Sequence, residues 1–336
     1  IHSIHRNIRD VCKHIDNIHT PSKTTLVGLI STLANFGYTE AHLPLEKNGL
    51  GLPCRVQWEI IRTLSYYNPG IALSYLAHTI LTYQSLAQHA SSDLQNIVNT
   101  LQLGKKLGCC AMSEPEAGSD LMSMQTYAKE CTNQYTIFGE KCWITNAPYA
   151  DYALVYAKID HKQSRDIGLF LVPCDNENLT QSTPIEKIGM KSSPTGSIHF
   201  DGVTIPKKYR IDSDNAKKLL FEQLHFERLM LSAGPIGIMD YAYEKAISYT
   251  KIRKQFGQPI NQLGQIQLIL ANMWTQHQAS IALCEKALQR TQSTIIKPEW
   301  GSSCYLMAAE TAMKVVEDAI QCLSLIHISE PTRLSG

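Results

Sequence analysis

The sequence predicts an α+β protein: an N-terminal helical domain, a central β-domain and a C-terminal helix bundle, in that order. Apolar residues recur at the helical period over residues 1 to about 103 and again beyond about Ala216. Between about Gly108 and Ile211 the pattern changes to short strand-like runs separated by turn residues. Helical blocks on either side of a run of strands do not suggest alternating βαβ units, and no G-x-G-x-x-G fingerprint is present. The divisions fall at 1–107, 108–212 and 213–322.

In the first block Leu26, Leu29, Ile30 and Leu33 keep one helix face, with punctuation at Pro44 to Gly51 and at Asn68-Pro69-Gly70. In the middle block Tyr135 to Phe138, Ala153 to Ala157, Ile167 to Val172 and Ser197 to Phe200 read as strands, with turns expected at Gly139-Glu140 and Asp201-Gly202. Three long helical segments follow, near 216–250, 262–293 and 299–322, the first interrupted near Gly234-Pro235-Ile236-Gly237. Position 1 is Ile, without an initiator Met or signal-like segment, and Leu323 to Arg333 resembles the in-frame translation of a transposon-end sequencing adapter. Residues 323–336 are therefore expected to be a non-native tail and the C-terminal bundle to be incomplete.

The chain's 336 residues are ample for a buried core, and 31 basic against 30 acidic residues leave a net charge of +1. With no long run of either sign, there is no electrostatic footprint for nucleic acid or a membrane surface. Apolar residues make up 44 % without a membrane-length stretch, so no membrane insertion is expected. Ten scattered cysteines without C-x-x-C fit free thiols in a reducing compartment, and twelve dispersed histidines suggest no metal site.

Two stretches carry chemistry. Ala111-Met112-Ser113-Glu114-Pro115-Glu116-Ala117-Gly118-Ser119-Asp120 is answered by Trp143-Ile144-Thr145-Asn146. Small, hydroxyl and proline residues pin a backbone whose N–H groups can face a ligand, and a flat indole beside it suits a planar, partly charged cofactor. By composition alone, an ordinary turn followed by a core Trp is the better reading. The second stretch is a helical stripe at 220, 224, 227, 231, 234 and 238, with Glu227 among Leu, Gly and Ile. Desolvation raises such a carboxylate toward a usable base, with Arg228 expected to point away. A buried Glu paired with a cation from another helix fits equally well.

The order A-M-S-E-P-x-A-G-S-D followed by W-I-T-N resembles the flavin-dependent acyl-CoA dehydrogenases, over roughly Gly37 to Cys322. The run Asp151 to Lys158 is most similar to the isovaleryl branch, as is Phe226-Glu227-Arg228-Leu229-Met230-Leu231-Ser232-Ala233-Gly234-Pro235-Ile236-Gly237, where that branch places its catalytic Glu. The resemblance implies FAD as cofactor, with Cys110, Ala111, Met112, Ser113, Gly118, Ser119, Trp143, Ile144 and Thr145 as flavin contacts. Arg253 would reach the FAD of a neighbouring subunit, and Gln321 would begin another flavin segment. It implies acyl-CoA contacts at Ser119, Ser164, Arg165, Phe226 and Arg228. A solvated loop is nearly as good a reading of Ser164-Arg165.

The implied reaction is α,β-dehydrogenation of isovaleryl-CoA to 3-methylcrotonyl-CoA in leucine breakdown, with Glu227 as base and electrons passing to electron-transfer flavoprotein. A homotetramer in a bacterial cytoplasm or mitochondrial matrix is implied with it. Gly264 stands where the family has a flavin-contacting Gln, Lys218 where the branch has a substrate-contacting Tyr, and Lys191 where it has an Arg, which leaves the acyl chain open. Alternatives are another short- or medium-chain acyl-CoA dehydrogenase, an oxidase-like relative giving electrons to oxygen, or a flavin- or acyl-CoA-binding fragment without turnover.

Overall fold

The computed structural model describes residues 2–12, 20–211, 215–291 and 296–323, so all of the expected tail but Leu323 lies outside the described residues. In chain order the elements are α1 (His2–Cys12), α2 (Lys23–Asn35), α3 (Cys54–Tyr67), α4 (Pro69–Leu76), a π-helical segment (Ala77–Tyr83), α5 (Gln84–His89), α6 (Gln95–Gln102), β1 (Gly108–Ala111), β2 (Tyr127–Glu130), β3 (Gln134–Thr145), β4 (Tyr152–Ile159), β5 (Ile167–Pro173), β6 (Leu179–Gln181), β7 (Thr195–Pro206), α7 (Ala216–Leu231), α8 (Ala233–Ile252), β8 (Lys254–Gln255), β9 (Gln258–Pro259), α9 (Gly264–Arg290) and α10 (Pro298–Leu323). The fold is α+β, with a central sheet between helical segments. The chain resolves into two compact units: 1–18, 53–72 and 225–336 form one, and 19–52 with 73–224 the other.

The second unit is built on a seven-stranded sheet in the order β1-β4-β2-β3-β7-β6, with β5 on β4. β4 runs parallel to β1 through Gly108↔Tyr152 to Ala111↔Val155, parallel to β2 at Tyr127↔Lys158, and antiparallel to β5 along its length. Its inward residues Ala153, Val155 and Ala157 join Ile137, Phe170, Val172, Ile198 and Phe200 in one core. The strands expected from alternation all form, but β3 and β7 are longer than expected. Gly139-Glu140 and Asp201-Gly202 lie inside them rather than in turns: Ile137 pairs Val203 and Phe138 pairs Asp201, so Gly202, at φ 80°, is the extra residue of a β-bulge. A bulge and a turn draw on the same glycine conformation, which is why the sequence did not separate them.

Helix α2 buries Leu26, Leu29, Ile30 and Leu33, the expected face, and Ser22 caps it by accepting from the Thr25 N–H. The loop after it turns at Asn48, φ 56°, where a Cβ on Gly49 would lie 2.0 Å from the Leu43 carbonyl oxygen. The π-helical segment holds the start of β1. His78 is fully buried; its Nδ1 accepts from the Gly108 N–H at 3.0 Å, so its Nε2 carries the hydrogen given to the Leu101 carbonyl at 3.0 Å.

The first unit packs α1 on α3 and α3, α9 and α10 around α8. The Trp58 indole donates to Ser232 Oγ at 3.0 Å, and Arg62 grips Asp240 with two hydrogen bonds of 2.7 and 2.9 Å. The interruption expected near Gly234-Pro235 falls at Ser232, leaving Pro235 in the first turn of α8, where its missing N–H costs nothing. A Cβ on Gly237 would sit 2.2 Å from the Arg62 carbonyl oxygen, so α3 and α8 meet closely there. All ten cysteines are free. Among the described residues no helix is long and apolar enough to cross a membrane.

Burial lowers the His78 pKa from 6.5 to about 4, outweighing its bond to Leu101. The unfolded chain therefore binds this proton first as pH falls, and stability declines from pH 6.5 down to about 4. The cost between pH 7 and pH 5 is about 2 kcal/mol for this group, expected as the excess pH dependence of urea unfolding in the parent over His78→Gln. Gly237→Ala is expected to lose about 1–3 kcal/mol in the same assay from overpacking.

Candidate functional site

In the second unit the chain leaves β1 at Ala111 and enters the loop that was expected to form a wall. Glu114 and Ala117 exchange backbone hydrogen bonds, Glu114 N–H to Ala117 O at 2.9 Å and Ala117 N–H to Glu114 O at 3.2 Å, closing a turn around Pro115. Beyond it Gly118 and Ser119 are exposed, and a Cβ on Gly118 would meet nothing within 4 Å. Cys110, Ala111 and Met112 are buried and Ser113 half-buried.

The loop is joined to β3. The Cys142 N–H donates to Ser113 O at 3.0 Å, and Lys141 Nζ donates to Met112 O at 2.8 Å and lies 2.8 Å from Glu114 Oε1. Glu114 also accepts the backbone N–H of Gln125 at 2.5 Å and of Thr126 at 3.0 Å. Lys141 is 0 % exposed and Glu114 6 %. Burial alone raises the Glu114 carboxyl, but Lys141 and the donors outweigh it and hold it below its usual range. Burial lowers the Lys141 pKa, with Glu114 opposing. Neither residue is among the contacts that the family resemblance implies. A signal existed: Lys141 is in phase with buried Tyr135 and Ile137 along β3, where alternation predicts an apolar side chain.

Directly after Lys141 the strand bulges. Lys141 pairs Ile198 and Ile144 pairs Gly196, so β3 carries one residue more than β7. Trp143, in the bulge, has φ 60° and is 66 % exposed. Positive φ in a bulky residue is strained by roughly 1–3 kcal/mol and persists only when its surroundings over-determine it. Its neighbour Ile144 points into the core, and Thr145 ends the strand opposite Thr195. Asn146 follows in the left-handed region and donates through Nδ2 to Ser74 O at 2.9 Å and to Gly108 O at 3.3 Å. The structure thus joins the two stretches through Cys142 and Ser113 and leaves Gly118, Ser119 and the Trp143 ring exposed. That arrangement fits a planar cofactor better than a core Trp.

Helix α7 carries Phe226, Glu227 and Arg228. Of the stripe 220, 224, 227, 231, 234 and 238 only Leu220 is buried; the others are half-buried. The buried line runs through Gln223, Phe226, Met230, Ala233 and Gly237, one position away, because Gln223 turns inward: it accepts from Tyr156 OH at 2.8 Å and donates to Leu81 O at 2.6 Å. Glu227 flanks that line. Among the described residues its carboxylate has no hydrogen-bond or ion-pair partner, so the paired-Glu alternative finds no cation there. Desolvation raises its pKa from 4.5 to about 7 against a smaller lowering by Arg228, which therefore acts on Glu227 after all. Arg228 Nη1 reaches Ser302 Oγ at 3.5 Å.

The remaining residues stand apart. Ser164 and Arg165 lie in the β4–β5 loop, where the Asp166 N–H donates to Ser164 Oγ at 3.2 Å and Arg165 is exposed. Arg253 caps α8, exposed, just after Lys251 in the helix's last turn and ahead of the small β8–β9 hairpin. Gln321 is exposed in the last turn of α10. Among the described residues no group of three or more His, Cys, Asp or Glu could hold a metal ion.

Residues 109–203 match the middle domain of acyl-CoA dehydrogenases and 218–326 their C-terminal domain. The chain belongs to the acyl-CoA dehydrogenase family. An isovaleryl-CoA dehydrogenase of Arabidopsis thaliana is 31 % identical over 320 residues, 94 % of this chain and 78 % of that one. A benzylmalonyl-CoA dehydrogenase of Aromatoleum aromaticum is 30 % identical over 307 residues, 88 % of this chain and 79 % of that one. The structure of butyryl-CoA dehydrogenase from Megasphaera elsdenii shares the fold with a TM-score of 0.89 at 24 % identity, over 96 % of this chain and 87 % of that one. Like its family, this acyl-CoA dehydrogenase is a flavin-dependent oxidoreductase.

A carboxyl whose folded pKa lies above its unfolded value costs stability as pH rises through that window, here from 4.5 to about 7. Glu227→Gln, of the same shape without the charge, is expected to be the more stable protein at pH 8 by up to about 3 kcal/mol. The gap should close toward pH 4 in urea unfolding.

Proposed function

We propose that this chain dehydrogenates a short branched acyl-CoA at its α and β carbons, with Glu227 as the base and FAD as cofactor. Glu227 carries the proposal: a carboxylate with no hydrogen-bond or ion-pair partner among the described residues, whose pKa desolvation raises to about 7 against Arg228. The α-proton of a thioester is weakly acidic, so the base must be ionised, close to neutral in pKa and free of a competing cation. FAD, when bound, supplies the acceptor for the hydride that leaves the β carbon.

The chain's own residues have separable tasks. Trp143 would pack on the flavin when it is bound, and Gly118 and the Ser119 hydroxyl, both exposed, would be open to cofactor and substrate. Cys110, Ala111, Met112, Ser113 and Thr145 line the same wall; the carbonyls of Met112 and Ser113 are engaged by Lys141 and Cys142, which leaves the Ser113 hydroxyl for a ligand. Ile144 packs in the core and contributes through its backbone. Arg165 and Ser164 suit the CoA phosphates, since Arg165 is an exposed cation on a loop with no ion-pair partner among the described residues. Phe226 and Arg228, the neighbours of the base along α7, are the further acyl-CoA contacts that the resemblance implies.

Arg253 suits the FAD of a neighbouring subunit, because Ile252 beside it and Phe256 at the hairpin tip are exposed apolar residues, 79 % and 90 %. That reading, with Gln321 in a further flavin segment, makes the active form a homo-oligomer, a tetramer by family resemblance. The likeness to an isovaleryl-CoA dehydrogenase supports isovaleryl-CoA as substrate, and with it a role in leucine breakdown with electron-transfer flavoprotein as acceptor, in a bacterial cytoplasm or mitochondrial matrix. The benzylmalonyl relative at nearly the same identity supports a second reading, another acyl chain at the same site.

Anaerobic titration of the flavin-loaded protein with isovaleryl-CoA is expected to bleach the flavin; a spectrum that shifts without bleaching moves the assignment to another acyl chain. The bleaching rate should rise with pH through about 7 as Glu227 ionises. Glu227→Gln is expected to slow it by at least about 100-fold, and an unchanged rate would remove Glu227 from the mechanism. Oxygen uptake without an acceptor protein would mark an oxidase.

A further inference from the structure

Trp143 holds a strained backbone in a bulge, at φ 60°, with its ring 66 % exposed. Nothing about an exposed indole offsets that conformation, so the restraint comes from its neighbours: Ile144 after it is fixed in the core and the ladder, and the residues before it are fixed by charge. Two residues back, Lys141 is fully buried and its ammonium faces three groups: Glu114 Oε1 at 2.8 Å, Met112 O at 2.8 Å and Met124 Sδ at 4.0 Å. Cys142, between them, is tied through its N–H to Ser113 O at 3.0 Å. Glu114 in turn fixes the far end of the loop through the N–H groups of Gln125 and Thr126. One ion pair thus joins the strand just before its bulge to both ends of the loop from 112 to 126.

We infer that Glu114 and Lys141 are the positioning pair of the cofactor wall: they hold Trp143 in its strained conformation and fix the strand that carries it to the loop that carries Gly118 and Ser119. The flavin half of this statement rests on the function proposed above; the Trp143 half does not. Lys141 touches no ligand and acts through Met112, Cys142 and Trp143. The pair is suited to this because a buried ammonium tolerates no slack. Moving away from Met112 O or Glu114 would leave a desolvated charge unpaired, at a cost of several kcal/mol.

The test separates positioning from stability. Removing Lys141 alone strands the Glu114 charge, whereas replacing both partners by neutral residues of similar volume is often neutral for stability. The double variant Glu114→Gln/Lys141→Met therefore keeps a folded unit and loses the pin on Met112. Protein labelled with 5-fluorotryptophan gives four fluorine resonances, for Trp58, Trp143, Trp274 and Trp300, and Trp143→Phe identifies the one from Trp143. In the FAD-free double variant the Trp143 resonance is expected to move and broaden while the other three stay. The FAD dissociation constant, read from quenching of flavin fluorescence, is expected to rise at least about tenfold, or about 1.4 kcal/mol.

A Trp143 resonance unchanged from the parent would overturn the inference and leave the pair a core ion pair. A displaced Trp143 with unaltered FAD affinity would uphold the positioning of the ring and overturn the flavin half. If the parent itself binds no FAD, the function proposed above fails while the fluorine spectra still decide the role of the pair. Should the double variant not fold, Glu114→Asp, which keeps both charges and withdraws the carboxylate by one methylene, takes the same measurement with the same two outcomes for Trp143.

Discussion

The buried ammonium of Lys141 is the constraint from which the wall's geometry follows. Taking a Lys out of water costs several kcal/mol even after relaxation, and the cost is met only by acceptors at hydrogen-bond distance. Here these are a carboxylate on one turn of the loop and a backbone carbonyl at its start, so charge satisfaction and loop shape are the same requirement. The bulge that exposes Trp143 begins at the next residue, where the ladder with β7 gives way. A surface of exposed parts, a glycine, a serine and an indole, is thereby mounted on an interior that cannot shift.

The two carboxylates most relevant to the chemistry are driven in opposite directions. Glu114 accepts two backbone donors and a cation and stays ionised below its usual range; Glu227 has no such partner and is pushed up to about 7. Nothing in the side chain distinguishes them. The environment makes one a structural anion and the other a group able to take a proton near neutrality.

Much of this was legible in the sequence, because most of the determinants are local. The face of α2, the main strands and the glycine loop after Asn48 each follow from periodicity or turn chemistry, and the motifs around Ser119, Trp143 and Glu227 stood out as short strings. What was not legible depends on partners far along the chain. Gly202 is a bulge rather than a turn only because β3 lies beside it, and α7 presents a line one position away from the expected stripe only because Gln223 is drawn in by Tyr156 and Leu81. Lys141 is the instructive case: a charge in phase with Tyr135 and Ile137 was visible, but its acceptors at positions 112 and 114 could be known only once the strands were paired.

The pairing of β4 has a consequence for how such a wall can change. β1 and β2 both run parallel to β4 and lie on the same edge of it, β1 ending at Val155 and β2 resuming at Lys158. The fifteen residues from 112 to 126 are therefore a detour out of what is otherwise one line of strand alongside β4, leaving and re-entering it about 10 Å apart at the rise of a β-strand. The ends of a detour of this kind are fixed by the sheet, and its closure cost grows only slowly with length. Insertions or deletions within it can reshape what the wall receives while every ladder of the sheet stays in register.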